Sequence, residues 1–347
     1  MVHALVTMEA GSNHSSVLSA LKRALNFLKS SRNRNGLWTD YETLAGESDE
    51  WVTAYVAANL SRIPGASHDL AAASMLTLKK RLRFRGGLGF NKFVPRDADS
   101  TIWAALLFQN LGAATELKQV CKLIDQYFDP CGGVRTFRNP SGIVKFTRLR
   151  GGSFEGWTQP HVCVTAAALG IDGLCDDLTR KWLISNQRSE GCWEGYWWVE
   201  REYATGLFLM GIRNPHDEIE SLAVNKAEKW GLERLSVLLA KKSDSAFALS
   251  YLLLGLLSSY KESHHAFQAC KTRLLESQLS DGSWPSSAHL RIPPPYAKTP
   301  DEVMSWRSGG KGGGSIILDL KRTFSTAITM HALFTLIEHD HCRSYGK

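Results

Sequence analysis

Apolar positions along this chain fall into two kinds of helical segment that alternate. One kind is apolar on a single face, as in Ala20-Leu21-Lys22-Arg23-Ala24-Leu25-Asn26-Phe27-Leu28, where the spacing of three and four marks an amphipathic helix. The other is apolar nearly all round, as in Ile102-Trp103-Ala104-Ala105-Leu106-Leu107-Phe108. A helix apolar on every side belongs in an interior, and one-faced helices cover it. Six interior helices open near Ser48–Tyr55, Asp97–Thr101, Gln159–Val164, Glu200–Thr205, Asp244–Ala248 and Arg322–Ala327. Most of these openings carry Asp, Glu, Ser or Thr, which cap free N–H groups and suit the helix dipole. No alternation of strand and helix competes. Six outer–inner pairs predict an all-α chain, an α/α toroid (an α6/α6 barrel) whose inner helices open toward one end of a central apolar cavity.

A repeat supports this pairing. Gln187-Arg188-Ser189-Glu190-Gly191-Cys192-Trp193 and Gln278-Leu279-Ser280-Asp281-Gly282-Ser283-Trp284 share Q-x-x-x-G-x-W. Arg32-Asn33-Arg34-Asn35-Gly36-Leu37-Trp38 matches with Arg for Gln, and Asp129–Val134 and Arg85–Phe90 are weaker relatives. Internal periods of this kind signal stacked supersecondary units. Trp38, Trp193 and Trp284 sit in outer turns, so packing between helix pairs is their expected role.

The chemistry-bearing stretch is Arg96-Asp97-Ala98-Asp99-Ser100-Thr101, immediately before the apolar run. Two carboxylates two residues apart at the mouth of a buried helix are costly unless paired, hydrogen-bonded or protonated. Asp97 suits a helix cap or a supporting role. Asp99, in the first turn, points elsewhere, because positions i and i+2 do not share a face; it is either a second cap or a general acid.

These residues resemble the triterpene and terpene cyclases, whose repeat is called the QW motif. Protein prenyltransferase β subunits share the toroid. The resemblance runs from about Ser19 to Ile337 and supplies one barrel, as a single domain over residues 1–347, similar to the single-domain meroterpenoid cyclases. It implies a class II cyclase that protonates an alkene or epoxide with the middle Asp of D-x-D-D or D-x-D-T-T. Asp97-Ala98-Asp99-Ser100-Thr101 departs only in having Ser at the fourth position. The resemblance thus makes Asp99 the general acid and His161 its activating partner; otherwise His161 is a capping or packed histidine. It implies no cofactor, and as substrate a C15–C20 polyprenyl chain with an aromatic or acidic head group.

Carbocations need shielding and aromatic faces, each worth ~0.5–2 kcal/mol by cation–π contact. Candidates at the inner-helix openings are Trp51, Tyr55, Trp103, Trp157, Trp198, Tyr203, Phe247, Tyr251 and Phe324; about half are expected to line the cavity and the rest to pack the core. The Gly-rich stretch from Ile292 to Gly314 reads as a surface loop or a lid, and Arg148–Trp157 as a border of the entrance.

Composition narrows the alternatives. The chain has 347 residues, eleven Trp, and a formal net charge of +7. No nucleic-acid motif accompanies that charge, so a nucleic-acid partner is not expected. Seven cysteines with no CxxC pair point to a reducing, cytoplasmic setting and away from structural zinc. Peripheral membrane contact is compatible with a greasy substrate, and oligomeric state is left open. A zinc enzyme of the prenyltransferase β type is disfavoured: Ala246 stands where a thiolate is needed after Asp244, and His331 lies deep in the last helix. A non-catalytic lipid- or peptide-binding toroid has no use for an acid pair.

Overall fold

The computed structural model describes residues 12–147, 152–212, 214–260 and 265–345. The one-faced segments form α1 (Ser12–Ser30), α3 (Ala66–Arg85), α5 (Ala114–Ile124), α9 (Asp177–Ser185), α11 (Glu218–Ala240) and α13 (His265–Glu276). The apolar segments form α2 (Glu50–Leu60), α4 (Ala98–Asn110), α8 (Val162–Ala168), α10 (Arg201–Gly211), α12 (Ala246–Ser259) and α14 (Thr323–Tyr345). Two short helices, α6 (Pro140–Thr147) and α7 (Glu155–Thr158), lie between α5 and α8. The protein is mostly helical. Every residue of α2 is buried, whereas α1 buries Val17, Ala20, Leu21, Ala24 and Leu28 along one stripe.

Contacts among the apolar helices run α2–α4–α8–α10–α12–α14 and return from α14 to α2. The first helix, α1, packs on both α13 and α14.

The repeat is a hydrogen-bonding device. Trp38, Trp193 and Trp284 each donate their indole N–H to the carbonyl ten residues earlier, on Leu28, Leu183 and Leu274, at 2.7, 2.7 and 2.6 Å. Each backbone N–H of these tryptophans donates to a threonine hydroxyl on the following inner helix: Thr53, Thr205 and Thr326. Val134, in one of the weaker repeats, does the same to Thr165. Gln187 donates to Gly191 O and to Ala223 O, Gln278 to Gly282 O and to Ala20 O. Each glutamine therefore ties its own turn to the next outer helix, and Gln278 joins the last repeat to the first. Arg32, in the glutamine position, reaches Gly36 O in the same way.

The glycine of the repeat is needed twice over. Gly191 and Gly282 have φ of 102° and 89°, a region that favours glycine. A Cβ there would also lie 2.4 Å from Lys226 O or 2.5 Å from Arg23 O.

Two small sheets were not anticipated from an all-helical pattern. A hairpin joins β1 (Asp40–Thr43) to β2 (Gly46–Ser48), and β3 (His289–Ile292), β5 (Ser315–Leu318) and β4 (Arg307–Ser308) form a second sheet. The Gly-rich stretch read as irregular is therefore partly strand. Leu44 N–H donates to Lys311 O at 2.9 Å, stitching the two sheets together. Beneath them, Asp40 and Asp319 are both buried. They accept from the backbone N–H groups of Thr323 and Ser325, and so hold the first turn of α14.

Because the glutamine bonds link neighbouring repeats, Gln278→Ala is expected to destabilise the protein by about 1–3 kcal/mol, the cost of unpaired buried carbonyls. Denaturant unfolding measures this, and product identity should not change. A loss of product with no loss of stability would contradict a purely structural role.

Candidate active site

The openings of α2 and α4, the sheet residues and α6 surround a hollow of about 530 Å³, lined mostly by apolar side chains with Asp97, Asp99, Ser100 and Thr136 among them. That volume lies within the ~300–1,000 Å³ of small-molecule sites. The motif Asp-x-Asp faces it, and its two acids have different surroundings.

Asp97 is the N-cap of α4. Its Oδ1 accepts from Ser100 N at 2.7 Å and its Oδ2 from Ser100 Oγ at 3.0 Å. Burial pushes its pKa up to about 7 against the pull of the Ser100 bonds, with the charge of Glu50 adding to the rise. Glu50 is itself fully buried, accepting from Gly89 N at 3.0 Å and pairing with Arg81 at 3.3 Å. Arg81 thus serves as its counter-charge.

Asp99 has no such bonds. It is surrounded by protein, and the surface it retains faces the hollow. Desolvation, and then the charge of Asp97, push its pKa up to about 8. Its place in a helix's first turn favours ionisation by only ~0.3–1 kcal/mol, so burial wins. The indole N–H groups of Trp51 and Trp103 lie near enough to pull the value back somewhat, yet neither makes a well-formed hydrogen bond. Asp99 Oδ1, Trp51 Nε1 and Trp103 Nε1 are all buried without a partner, and so is Tyr203 Oη, whose phenol senses the Asp99 charge. An orphaned buried polar atom costs about 1–3 kcal/mol, and native proteins keep few of them. A cluster around one protonated carboxyl marks a site organised for something other than stability.

His161 does not hydrogen-bond Asp99, contrary to the partnership expected of it. Its Nε2 is 2.7 Å from Gly156 O and its Nδ1 is 2.6 Å from Thr136 Oγ1. A carbonyl can only accept, so Nε2 carries the proton and Nδ1 accepts from the threonine hydroxyl. That hydroxyl in turn accepts from Trp197 Nε1 at 2.8 Å. The ring stacks on Tyr196 at 4.1 Å, and burial drives its pKa down to about 3 despite the Gly156 carbonyl. His161 is a neutral strut. It orders Thr136 and Trp197, both of which line the hollow, and the Thr136 carbonyl holds Ala98 N between the two acids at 2.9 Å.

The aromatic expectations divide. Trp51 and Trp157 line the hollow. Tyr55, Trp103, Trp198, Tyr203, Phe247, Tyr251 and Phe324 instead pack into a buried cluster next to it. Phe324 stacks on Tyr55 at 3.5 Å, Trp198 on Tyr203 at 4.6 Å, and Tyr55 Oη meets Tyr251 Oη at 3.0 Å. Trp51 joins wall to cluster, 4.8 Å from Phe324. Phe90, Phe137, Phe146 and Trp197 also line the hollow, and sequence reading missed them because they lie in connections and on α6. The adjacent Trp197-Trp198 pair was a usable signal: strand-like alternation sends one ring to each side.

Around the mouth, Lys311, Gly312 and Gly313 border the hollow, and Lys311 pairs with Glu42 at 2.6 Å. Arg148–Gly151, in the stretch read as an entrance border, lies outside the described residues. The zinc alternative loses its ligands, since Asp244 is paired with Arg273 and His331 Nδ1 with Asn59 Oδ1 at 3.0 Å.

No family model matches the sequence. Among solved structures, the type II terpene cyclase MstE from Scytonema superposes with a TM-score of 0.85 at 30% identity, over 94% of this chain and 99% of that one. The chain belongs to the type II terpene cyclases. A variant of MstE in complex with geranylgeranyl dihydroxybenzoate, its substrate, matches at 31% identity and a TM-score of 0.85, over 94% of this chain and 98% of that one. A protein from Actinoplanes is 31% identical with a TM-score of 0.85, over 92% and 99% of the two chains. By sequence, the terpentedienyl-diphosphate synthase of Kitasatospora griseola is 26% identical over 147 residues, 42% of this chain but 27% of that synthase. This cyclase is accordingly an enzyme of protonation-initiated ring closure. Among its described residues no helix is long and apolar enough to cross a membrane.

The bonding of His161 predicts that its imidazole stays neutral, protonated on Nε2, from pH 5 to pH 8. Nitrogen-15 chemical shifts of the ring measure this. A titration near the ordinary histidine value would contradict the strut assignment.

Proposed function

We propose that this cyclase is a single catalytic domain over residues 1–347, folded as an α/α toroid. It closes a C15–C20 polyprenyl chain bearing an aromatic or acidic head group into a polycycle, with Asp99 as general acid. The closed circuit of inner-helix contacts supports the toroid. The observation that carries the acid assignment is the raised, unbonded Asp99 carboxyl at the wall of an apolar hollow. The relative crystallised with geranylgeranyl dihydroxybenzoate supports the substrate class.

In this reaction the Asp99 O–H proton passes to the distal alkene or epoxide of the chain, leaving a carboxylate and a carbocation. The indole N–H groups of Trp51 and Trp103, unpaired beforehand, then have an anion to bond. Interactions that strengthen only as charge develops accelerate the step. The cation moves along the chain as rings form. Facing aromatic walls such as Trp51 and Trp157 stabilise it, and it is discharged by loss of a proton or capture of water. Asp97 fixes the first turn of α4 and keeps Asp99 protonated through its charge. His161 acts through Thr136 and Trp197 on the shape of the wall. The buried cluster of Tyr55, Trp103, Trp198, Tyr203, Phe247, Tyr251 and Phe324 forms the floor beneath the chain. The unpaired cysteines support a cytoplasmic setting.

Asp99→Asn is expected to lower turnover of geranylgeranyl dihydroxybenzoate by at least ~10²–10⁴-fold, the range for a general acid, with the fold intact. The active form is the protonated one, so saturated turnover should be level below pH 7 and fall about tenfold per unit above the Asp99 pKa of about 8. Mass spectrometry of products across pH tests both. Retained cyclisation in Asp99→Asn, or turnover that rises above pH 8, would overturn the assignment.

A further inference from the structure

A second hollow, of about 850 Å³, lies beside the catalytic one. The two share Val94, Pro95, Phe137 and Phe146 as a partition. The helix α6 runs along it with two faces. Ile143 and Thr147 border the catalytic hollow, Gly142 and Lys145 border the second, and Phe146 borders both. Polarity changes across this wall. The catalytic hollow has the cation Lys311, which is already paired with Glu42. The second has Arg96, Arg138 and Lys145, and no carboxylate among its described lining residues. Arg138 Nη1 donates to Gln126 Oε1 at 2.9 Å, a neutral partner that orients its guanidinium group without cancelling its charge, and Arg96 Nη1 donates to Gly86 O at 3.0 Å. Lys145 has no ion-pair partner among the described residues. The rings of Phe93, Tyr127 and Phe137 complete the lining.

Arg138 and Lys145, set among aromatic rings, suit a planar anion: a guanidinium fork matches carboxylates and phosphates, and ring faces match an arene. We propose that this second hollow holds the anionic head group of the substrate, with the prenyl chain passing Phe146 into the catalytic hollow. The inference rests on the reading that the substrate is a prenyl chain bearing a head group. It adds the place where that group binds and the requirement that it be charged. Proton transfer from Asp99 to the distal end of the chain involves no atom of the head group. The anion therefore serves as an anchor that keeps the distal end of the chain toward Asp99, and its loss should be felt in binding before it is felt in the chemistry.

The test measures binding to full-length Asp99→Asn protein by tryptophan fluorescence, with and without the added double change Arg138→Ala and Lys145→Ala. The probes are geranylgeranyl dihydroxybenzoate, its methyl ester and geranylgeranyl diphosphate. Both altered side chains are exposed, so the protein should fold, and a thermal melt checks this. The expected result is a Kd for the free acid raised roughly tenfold or more by the double change, as for loss of a charged hydrogen bond. The methyl ester should shift less than about threefold. Lys145→Glu alone should weaken the acid more than Lys145→Ala does. Whichever anion loses more affinity, carboxylate or diphosphate, is the one the hollow is built for. Equal shifts for acid and ester, or no shift for either anion, would overturn the inference. Turnover by the unaltered enzyme reads the proposed function separately: if it cyclises none of the probes that reading fails, while the binding comparison still decides the head-group site.

Discussion

The structure depends on keeping one carboxyl dry beside another. Charge is expensive to bury, and Asp99 is kept neutral because burial and the Asp97 charge both oppose its ionisation. Asp97 bears its own burial through the two bonds from Ser100 that make it a helix cap. The tandem is thus asymmetric. One acid is tied down and the other is left able to give up a proton. The surrounding orphans lie beside it, since Trp51, Trp103 and Tyr203 hold buried polar atoms without a hydrogen-bond partner.

The rest of the fold supplies rigidity around that arrangement. Repeat turns bind Trp to the preceding helix, Thr to the following one and Gln to the next repeat. The helices α2 and α14 are therefore held at their first turns, where Trp51 and Phe324 project. Asp40 and Asp319 hold the first turn of α14 in the same sense. A scaffold fixed by backbone carbonyls tolerates a site that costs stability, as functional sites commonly do.

Much of this was legible in the chain. The contrast between Ala20–Leu28 and Ile102–Phe108 separates outer from inner helices, and Q-x-x-x-G-x-W locates the turns. Asp97 and Asp99 separate by helical geometry alone, as a cap and a side chain facing elsewhere. His161 was misjudged as a partner of Asp99, because its true partners, Thr136 and the Gly156 carbonyl, are a distant threonine and a backbone atom that no spacing reveals. Of the aromatic lining only Trp51 and Trp157 were visible, for a related reason. Rings on inner helices stand out by pattern, but Phe137, Phe146 and Trp197 come from connections whose path is set by tertiary packing. The small sheets escaped notice because β1, β2 and β4 are too short to show alternation.

Asp99 is proposed to carry its proton at neutral pH, and infrared difference spectroscopy reads that directly. Subtracting the spectrum of Asp99→Asn from that of the unaltered protein isolates the carboxyl band. A protonated C=O band at pH 7 that gives way to carboxylate bands around pH 8 is the predicted result. Carboxylate bands already present at pH 7, with a midpoint near the ordinary aspartate value, would contradict it.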